Sequence, residues 1–422
     1  MSRLTALRWL VVIGLGCVLL RLVHLQGVHG ARYRGLADRN RLRVVPEEAP
    51  RGLIVDRHGV RLADNQTVFR LALVPQEVES LESVLAPLSE LVGVPVDQLR
   101  RRWQHQQGLP FVPATIVPKV PKPIALRLEE RRLHLPGVVV LAETVRRYPR
   151  GRSAAHLIGY LGKPMSEELP LLKQYGVHPQ HVIGRTGVER AFEAYLRGRS
   201  GGGVVEVDHR TRRVRRVGYR TPEPGETVAL TIDAHLQSLI ETAFGEQPGA
   251  AVVLQPRTGM ILAVVSLPAF DPAAFVDGST DDVQRYLTDP SAPLMNRAVS
   301  GLYTPGSIAK LISAGAALEH GLLDPSRTTE CEGALQIGDR LFHCWNREGH
   351  GPVALIEAIR ASCNVYFLQL GRQLGARRLT TAMSRVGWGR PAGWPLDADA
   401  SGHLPKRWLT EGTLPAGSSP TS

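Results

Sequence analysis

The sequence is poor in lysine: six of its 51 basic residues are Lys, so arginine carries the net charge of +12. It has no internal repeat, and its only low-complexity stretches are the glycines at 201–203 and a small-residue tail, which excludes a repeat array. With 43% hydrophobic and 21% charged residues it is not a disordered chain. Cysteine is sparse. Four are present, and Cys17 lies in an apolar segment, leaving three that cannot all pair with one another. Long apolar runs are also few, and residues 4–25 form the one long enough to cross a bilayer with some tilt. No small-residue cleavage site closes that run, since Arg21-Leu22-Val23-His24-Leu25-Gln26 follows, which argues against a removed signal peptide. Arg3, Arg8 and the amino terminus favour an N-in orientation with Trp9 at the interface. The remaining chain is then expected outside the cytoplasmic membrane, away from nucleic acid. Its basic charge suits anionic lipid or acidic polymers. A length of 422 residues allows two or three domains.

The stretch Tyr303-Thr304-Pro305-Gly306-Ser307-Ile308-Ala309-Lys310 organises the rest. Pro305 and Gly306 end an extended approach, and residues 307–320 read as a helix stopped by Gly321. Ile308, Leu311, Ile312 and Leu318 are expected on its packed face. Ser307 starts the helix, where the dipole and free N–H groups are positive, and Lys310 follows one turn later on the same side. A lysine loses pKa on burial and then serves as a base, so the pair fits an activated serine. An N-cap serine beside a surface lysine is the bland alternative. Ala361-Ser362-Cys363-Asn364, after a helical run at 353–360, supplies a second element, Ser-x-Asn.

Elsewhere, the apolar runs flanking 56–59 predict a β-hairpin, residues 80–91 a helix containing Pro87, and the five prolines of 110–123 an extended connection. Residues 124–133 read as helix and 137–141 as strand. A helix is expected at 188–196, and a hairpin at 204–217 turning near His209 and Arg210. Its cluster Arg212-Arg213-Val214-Arg215-Arg216 is either a solvated strand face or a contact for an acidic surface. Pro222-Glu223-Pro224-Gly225 marks a domain joint. A strand at 227–232, a helix at 234–244 and two buried central strands at 249–254 and 261–265 follow.

S-x-x-K with Ser-x-Asn and Lys-Thr-Gly is the motif set of penicillin-binding proteins and class A β-lactamases. The chain resembles the class B penicillin-binding protein 2 family, the peptidoglycan D,D-transpeptidases of cell elongation. Besides the two serine motifs, Pro50-Arg51-Gly52 through Asp56-Arg57 and Gly184-Arg185-Thr186-Gly187-Val188-Glu189 are similar to the family's pedestal. Leu230-Thr231-Ile232-Asp233 with Gln237 is similar to its entry into the catalytic domain, and Gly349-His350-Gly351 to a subfamily feature. The resemblance implies a multidomain chain. Residues 1–28 would be a cytoplasmic tip and single transmembrane helix, 29–225 an α+β pedestal of dimerisation type, and 226–422 an α/β serine transpeptidase domain. It also implies a single-pass inner-membrane protein with its bulk in the periplasm.

The resemblance further implies that Ser307 attacks the penultimate D-alanine carbonyl of a stem peptide, with Lys310 as base. Ser362 would relay the proton to the leaving amine, and Asn364 would hold the donor amide and Lys310. Expected partners are peptidoglycan stem peptides, β-lactams and the membrane machinery of elongation, including a glycosyltransferase; no organic cofactor is implied. The family's third motif is missing: the one lysine after Asn364 is Lys406, in Lys406-Arg407-Trp408. The chain is therefore expected to be cut or frameshifted inside the catalytic domain, lacking its C-terminal strands and helix, and poorly active or inactive as written. The alternative function is an inactive pedestal protein that only binds elongation partners. A β-lactam-sensing receptor is a weaker option, since it has no need of the pedestal segment.

Cys331, Cys344 and Cys363 cluster in the catalytic region with His350 among them. An exported compartment favours a Cys331–Cys344 disulfide, whereas three thiolates and one imidazole complete a tetrahedral structural zinc site. Their spacing is unlike a compact zinc finger, but some members of the resembled family carry zinc near this position. His343 is a competing ligand.

Overall fold

The computed structural model describes residues 3–30, 42–78, 80–105, 112–173, 181–207, 213–276, 280–396 and 399–405. The chain forms two compact units, Met1–Leu236 with Asp271–Val283, and Gln237–Phe270 with Gln284–Ser422. The expected turn at His209 and Arg210, together with Arg212, Lys406 and the tail, lies outside the described residues.

The first unit begins with a helix, Arg3–Val23. No helix among the described residues is long and apolar enough to cross a membrane, and the side chains of residues 3–8, 10 and 11 of this helix lie outside that description. Strand β1 (Leu42–Glu47) follows, then β2 (Ile54–Val55) and β3 (Arg61–Leu73), the predicted hairpin around Asp56. Asp56 fixes the turn by accepting from the N–H of His58 and Val60, both at 2.8 Å. The long β3 pairs with β4 (Ala114–Val120) and, from Asp64 to Leu73, with β5 (Val138–Arg147). Residues 114–120 of the proline-rich stretch are thus a strand and not a mere connection. Pro118 and its neighbours sit where the β3–β4 register is irregular, as proline requires in a sheet. Helices Leu81–Val92, Val96–His105 and Lys122–Glu130 cover this sheet and bury Leu85, Leu88, Leu99, Trp103 and Leu128 against Ile116 and Leu71. The first of these helices runs through Pro87.

Two-residue strands β6 (Leu161–Gly162) and β7 (Ile183–Gly184) pair, and the helix expected at 188–196 is two short ones, Gly187–Ala191 and Glu193–Leu196. Strands β8 (Gly201–Val207) and β9 (Arg213–Arg220) form the other predicted hairpin, with β1 on the far side of β8. The strand expected at 227–232 shrinks to β10 (Val228–Ala229), parallel to β2. The rest of that stretch curls back on the hairpin turn: Ala234 N–H donates to Asp56 Oδ2 at 3.0 Å and Arg57 N–H to the Ile232 carbonyl at 3.0 Å.

The two pedestal segments noted in the sequence meet in space. Arg51 Nη2 lies 2.8 Å from Glu189 Oε2 and 2.7 Å from Glu193 Oε2, and Arg146 Nε lies 2.6 Å from Glu189 Oε1. Both oxygens of a fully buried carboxylate are thus held by guanidinium groups. Burial alone would lower the Arg51 pKa, but the charges of Glu189 and Glu193 raise it overall. Gly52 is required beside this network, because a Cβ there would lie 1.7 Å from the Glu226 carbonyl oxygen.

In the second unit, β11 (Gly249–Gln255) and β12 (Met260–Leu267) pair antiparallel. Only β12 is a buried core strand, through Ala263, Val264 and Val265, while Val252 and Leu254 on β11 are exposed. Gln237, on the predicted helix Ala234–Phe244, binds β12 like a neighbouring strand. Its amide donates to the Val264 carbonyl at 2.8 Å and accepts from the Val264 N–H at 2.9 Å. The serine helix is Ile308–Glu319. Its packing reverses the sequence expectation: Ile308 and Leu311 are 68% and 58% exposed, and Ser313, Ala314, Ala316 and Ala317 are buried. Small residues let this helix pack closely against helix Asn364–Leu374, in one core with Val365, Tyr366, Phe367 and Leu370. Strands β13 (Thr329–Cys331), β14 (Ala334–Ile337), β15 (Arg340–His343) and β16 (Gly351–Val353) lie between the two helices in sequence, paired β13–β16 and β14–β15. Helices Leu355–Arg360 and Ala376–Arg385 complete the unit.

Candidate active site and metal centre

Ser307 occupies the N-cap position of helix Ile308–Glu319, yet its side chain makes no capping bond. Its Oγ lies 2.9 Å from Ser362 Oγ instead. Lys310 is on the buried face with Ala314 and Ala317, four and seven residues on, and points at the same group. Its Nζ donates to Ser362 Oγ at 3.0 Å, to the Ser362 carbonyl at 2.7 Å and to Asn364 Oδ1 at 2.7 Å. All four sequence candidates therefore share one hydrogen-bonded cluster. No carboxylate pairs with Lys310 among the described residues, and burial lowers its pKa, against a partial offset from Cys344 and Cys363. A lysine with a depressed pKa and a hydroxyl in reach can accept a proton.

The segment carrying Ser362 is held under strain. Ser362 has φ +50, a left-handed conformation uncommon for a residue with a Cβ. It sits between helices Leu355–Arg360 and Asn364–Leu374, pinned by Cys363 N–H to the Ala358 carbonyl at 2.9 Å. Two contacts escaped the sequence reading. Trp345 Nε1 donates to the Ala361 carbonyl at 2.8 Å, bracing the approach to Ser362. Asn364 Nδ2 donates to the His343 carbonyl at 3.2 Å, which orients its Oδ1 toward Lys310. Neither belongs to a short motif; only the adjacency of His343 and Trp345 to Cys344 hinted at them.

Cys363 belongs to a second cluster. The ligand atoms of Cys331, Cys344, His350 and Cys363 all lie within 4.8 Å of one another. His350 Nδ1 is 3.5 Å from both Cys331 Sγ and Cys344 Sγ. Zn–S and Zn–N bonds of about 2.3 and 2.1 Å give a tetrahedral S–N edge of about 3.6 Å, so the donor set and its dimensions fit zinc. All three thiols are buried and free, with no Cys331–Cys344 disulfide. Burial raises the Cys344 pKa, but N–H donors from Asn364, Val365 and Asn346 outweigh it and lower the thiol. Burial and the neighbouring sulfurs push Cys363 up to about 12. The sulfurs thus resist joint ionisation unless a cation sits among them. His343, the competing ligand, is exposed and outside this group. Gly349 has φ +88, and a Cβ there would lie 2.1 Å from the Cys331 carbonyl oxygen. Glycine thus lets the His350 loop close on Cys331, where His350 N–H donates to that carbonyl at 2.9 Å.

A nucleophile-positioned serine, an uncompensated lysine and a Ser-x-Asn segment on a strand-and-helix unit define a serine acyl-transfer domain. Comparison with known proteins agrees. Residues 46–230 match the penicillin-binding protein dimerisation domain, and residues 249–420 match the penicillin-binding protein transpeptidase domain. The chain is 32% identical over 420 residues to the peptidoglycan D,D-transpeptidase MrdA of Escherichia coli K12, covering 95% of this chain and 66% of that protein. It is 34% identical over 402 residues to MrdA of Acinetobacter baumannii, covering 94% of this chain and 60% of that protein. The chain thus spans about two thirds or less of these relatives' lengths. A solved complex between penicillin-binding protein 2 and MreC from Helicobacter pylori superposes with a TM-score of 0.75 at 26% identity, covering 86% of this chain and 68% of that one. The chain belongs to the penicillin-binding protein 2 family, with a pedestal-type domain followed by a transpeptidase domain.

Proposed function

We propose that the protein is a peptidoglycan D,D-transpeptidase acting through an acyl-enzyme on Ser307. The observation that carries this reading is the continuous contact from Ser307 Oγ to Ser362 Oγ to Lys310 Nζ, at 2.9 and 3.0 Å. Neutral Lys310 takes the Ser307 proton through the Ser362 hydroxyl. Ser307 Oγ then bonds to the penultimate D-alanine carbonyl, and the proton returns through Ser362 to the amine of the departing D-alanine. An amine from a second stem peptide attacks the ester, its proton leaves by the same route, and Ser307 is regenerated. Asn364 holds Lys310 and the donor amide. The Ser307 N–H, at the start of the helix, faces the oxyanion. A β-lactam would acylate the same oxygen.

Residues 4–25 serve as a single membrane anchor in the inner membrane, N-terminus cytoplasmic, bulk periplasmic. Supporting this, helix Arg3–Val23 leaves Val12, Ile13, Leu15, Val18 and Leu20 uncovered by protein. The cluster of Cys331, Cys344, His350 and Cys363 holds structural zinc, which supplies the cation that three close sulfurs need. Partners are the membrane proteins of the elongation machinery, an MreC-like protein and a glycosyltransferase among them. The test is a pentapeptide ending in D-Ala-D-Ala, supplied with an amine acceptor. Release of D-alanine and a crosslinked product that both vanish in Ser307→Ala support the reading. Pedestal-only function is indicated if neither forms while elongation partners still bind.

A further inference from the structure

Strand β9 is an edge of the β1–β8–β9 sheet, and its exposed side chains mix arginine with apolar groups. Val214, Val217 and Tyr219 are 62%, 49% and 48% exposed. Arg216 and Tyr219 share one face: the guanidinium carbon lies 4.9 Å from the ring centroid, and the Tyr219 hydroxyl donates to Glu47 Oε2 on β1 at 2.7 Å. On the opposite face Arg215 is paired with Glu206 at 2.7 Å. Register explains the arrangement. Arg216 stands opposite Val205 and Arg215 opposite Glu206, while the shift between Val204 and Val205 leaves Val217 outside the pairing.

This is the side-chain mixture of a bilayer interface. A tyrosine places an apolar ring and a polar tip at headgroup depth, arginine binds phosphate in a bidentate fork, and the valines meet the acyl boundary. Its arginines complement an anionic surface, and the patch follows an exposed edge strand. The chain also brings the sheet near a membrane if the anchor is as proposed above, on which this inference rests. About a dozen residues separate Gly30 from Leu42, where β1 begins, a tether of at most about 43 Å.

We propose that the β9 edge, through Arg216, Val217, Tyr219 and Arg220, rests on the anionic lipid headgroups of the membrane that carries the chain. The sheet then acts as a foot that fixes the pedestal against the bilayer. It adds an electrostatic contact that salt and lipid charge modulate.

The experiment uses the full chain in lipid nanodiscs, with a fluorophore on Val217→Cys in a Cys17→Ser background. Discs of phosphatidylcholine are compared with discs containing phosphatidylglycerol, each carrying headgroup spin-labelled lipid as quencher. Quenching should be at least about twofold greater with the anionic lipid, and should return to the neutral-lipid level in Arg216→Glu/Arg220→Glu or at high salt. Quenching equal in the two lipids, or unchanged by the double charge reversal, overturns the proposal. So does protection of the label only on addition of an acidic protein. Co-elution with phosphatidylcholine discs reads the anchor separately. A chain that fails to co-elute refutes the anchor, and β9 is then judged by flotation with phosphatidylglycerol vesicles, where loss on charge reversal supports it and equal binding of the variant refutes it.

Discussion

Arg51 and Glu189, 138 residues apart in sequence, meet at 2.8 Å inside the first unit, with Arg146 holding the other carboxylate oxygen at 2.6 Å. Two short segments that look like isolated motifs are thus the two halves of one buried ion network. Removing the shared anion leaves buried Arg146 without a carboxylate partner and Arg51 with Glu193 alone, so Glu189→Gln should destabilise this unit by about 3–5 kcal/mol. Denaturant unfolding measures it. A loss below about 1 kcal/mol, the size expected of a surface pair, would show that the network is not structural.

Asp56 gives that unit an acid sensitivity. Burial raises its pKa, but the N–H groups of Ala234, Val60 and His58 outweigh that and hold the carboxyl below its usual range. A carboxyl depressed in the folded state contributes stability above its unfolded pKa and loses it as pH falls through the folded value. Stability should therefore fall as pH drops below about 4, and Asp56→Asn should flatten part of that fall while lowering stability at neutral pH. Unfolding midpoints measured from pH 3 to 7 test both signs.

Much of this architecture is legible in the sequence because local signals and tertiary contacts agree. The Asp56 hairpin, helix Ala234–Phe244 and the Ser307–Lys310 turn each carry their own turn or cap residues. The exceptions have physical causes. Periodicity placed Ile308, Leu311 and Leu318 on the packed side of the serine helix, but close approach to helix Asn364–Leu374 selects small side chains, so alanines are buried. Proline content suggested a connection at 110–123, but irregular β3–β4 pairing accommodates the strand. The candidate metal ligands come from the end of β13, the residue after β15, the residue before β16 and the cap of helix Asn364–Leu374, an arrangement no linear spacing rule describes.

For zinc, the purified protein should carry about one equivalent, and Cys363→Ser should reduce it. A readout besides activity is thermal stability, which should fall on chelation and recover on adding zinc, as linkage requires. Metal-free protein with a Cys331–Cys344 disulfide by mass spectrometry contradicts the site.

Ser362 offers a separation of backbone from chemistry. Its φ of +50 suits glycine, so Ser362→Gly should leave stability unchanged or raised, by up to about 1 kcal/mol. The same change removes the hydroxyl between Ser307 and Lys310, and acylation should slow by about 10²–10⁴. Equal rates in the two proteins would rule out Ser362 as the proton path.

Lys310 sets the pH profile. Burial lowers its pKa, so the neutral base is present at lower pH than for a free lysine, and the rising limb of acylation rate should lie below pH 10.5. Lys310→Arg, which cannot deprotonate, should remove that limb along with the activity. A wild-type limb at or above the ordinary lysine range would show that Lys310 is not the base.

The most direct measurement is the site of penicillin acylation. The protein is incubated with a saturating penicillin, and the adduct is located by peptide mass spectrometry, with Ser307→Ala and the wild type compared at matched fold by circular dichroism. The expected result is a single adduct, fast or slow, on the peptide containing Ser307, and none in the variant. An adduct on any other residue, labelling that survives Ser307→Ala, or a folded wild-type protein that never acylates contradicts the assignment of Ser307 as the nucleophile.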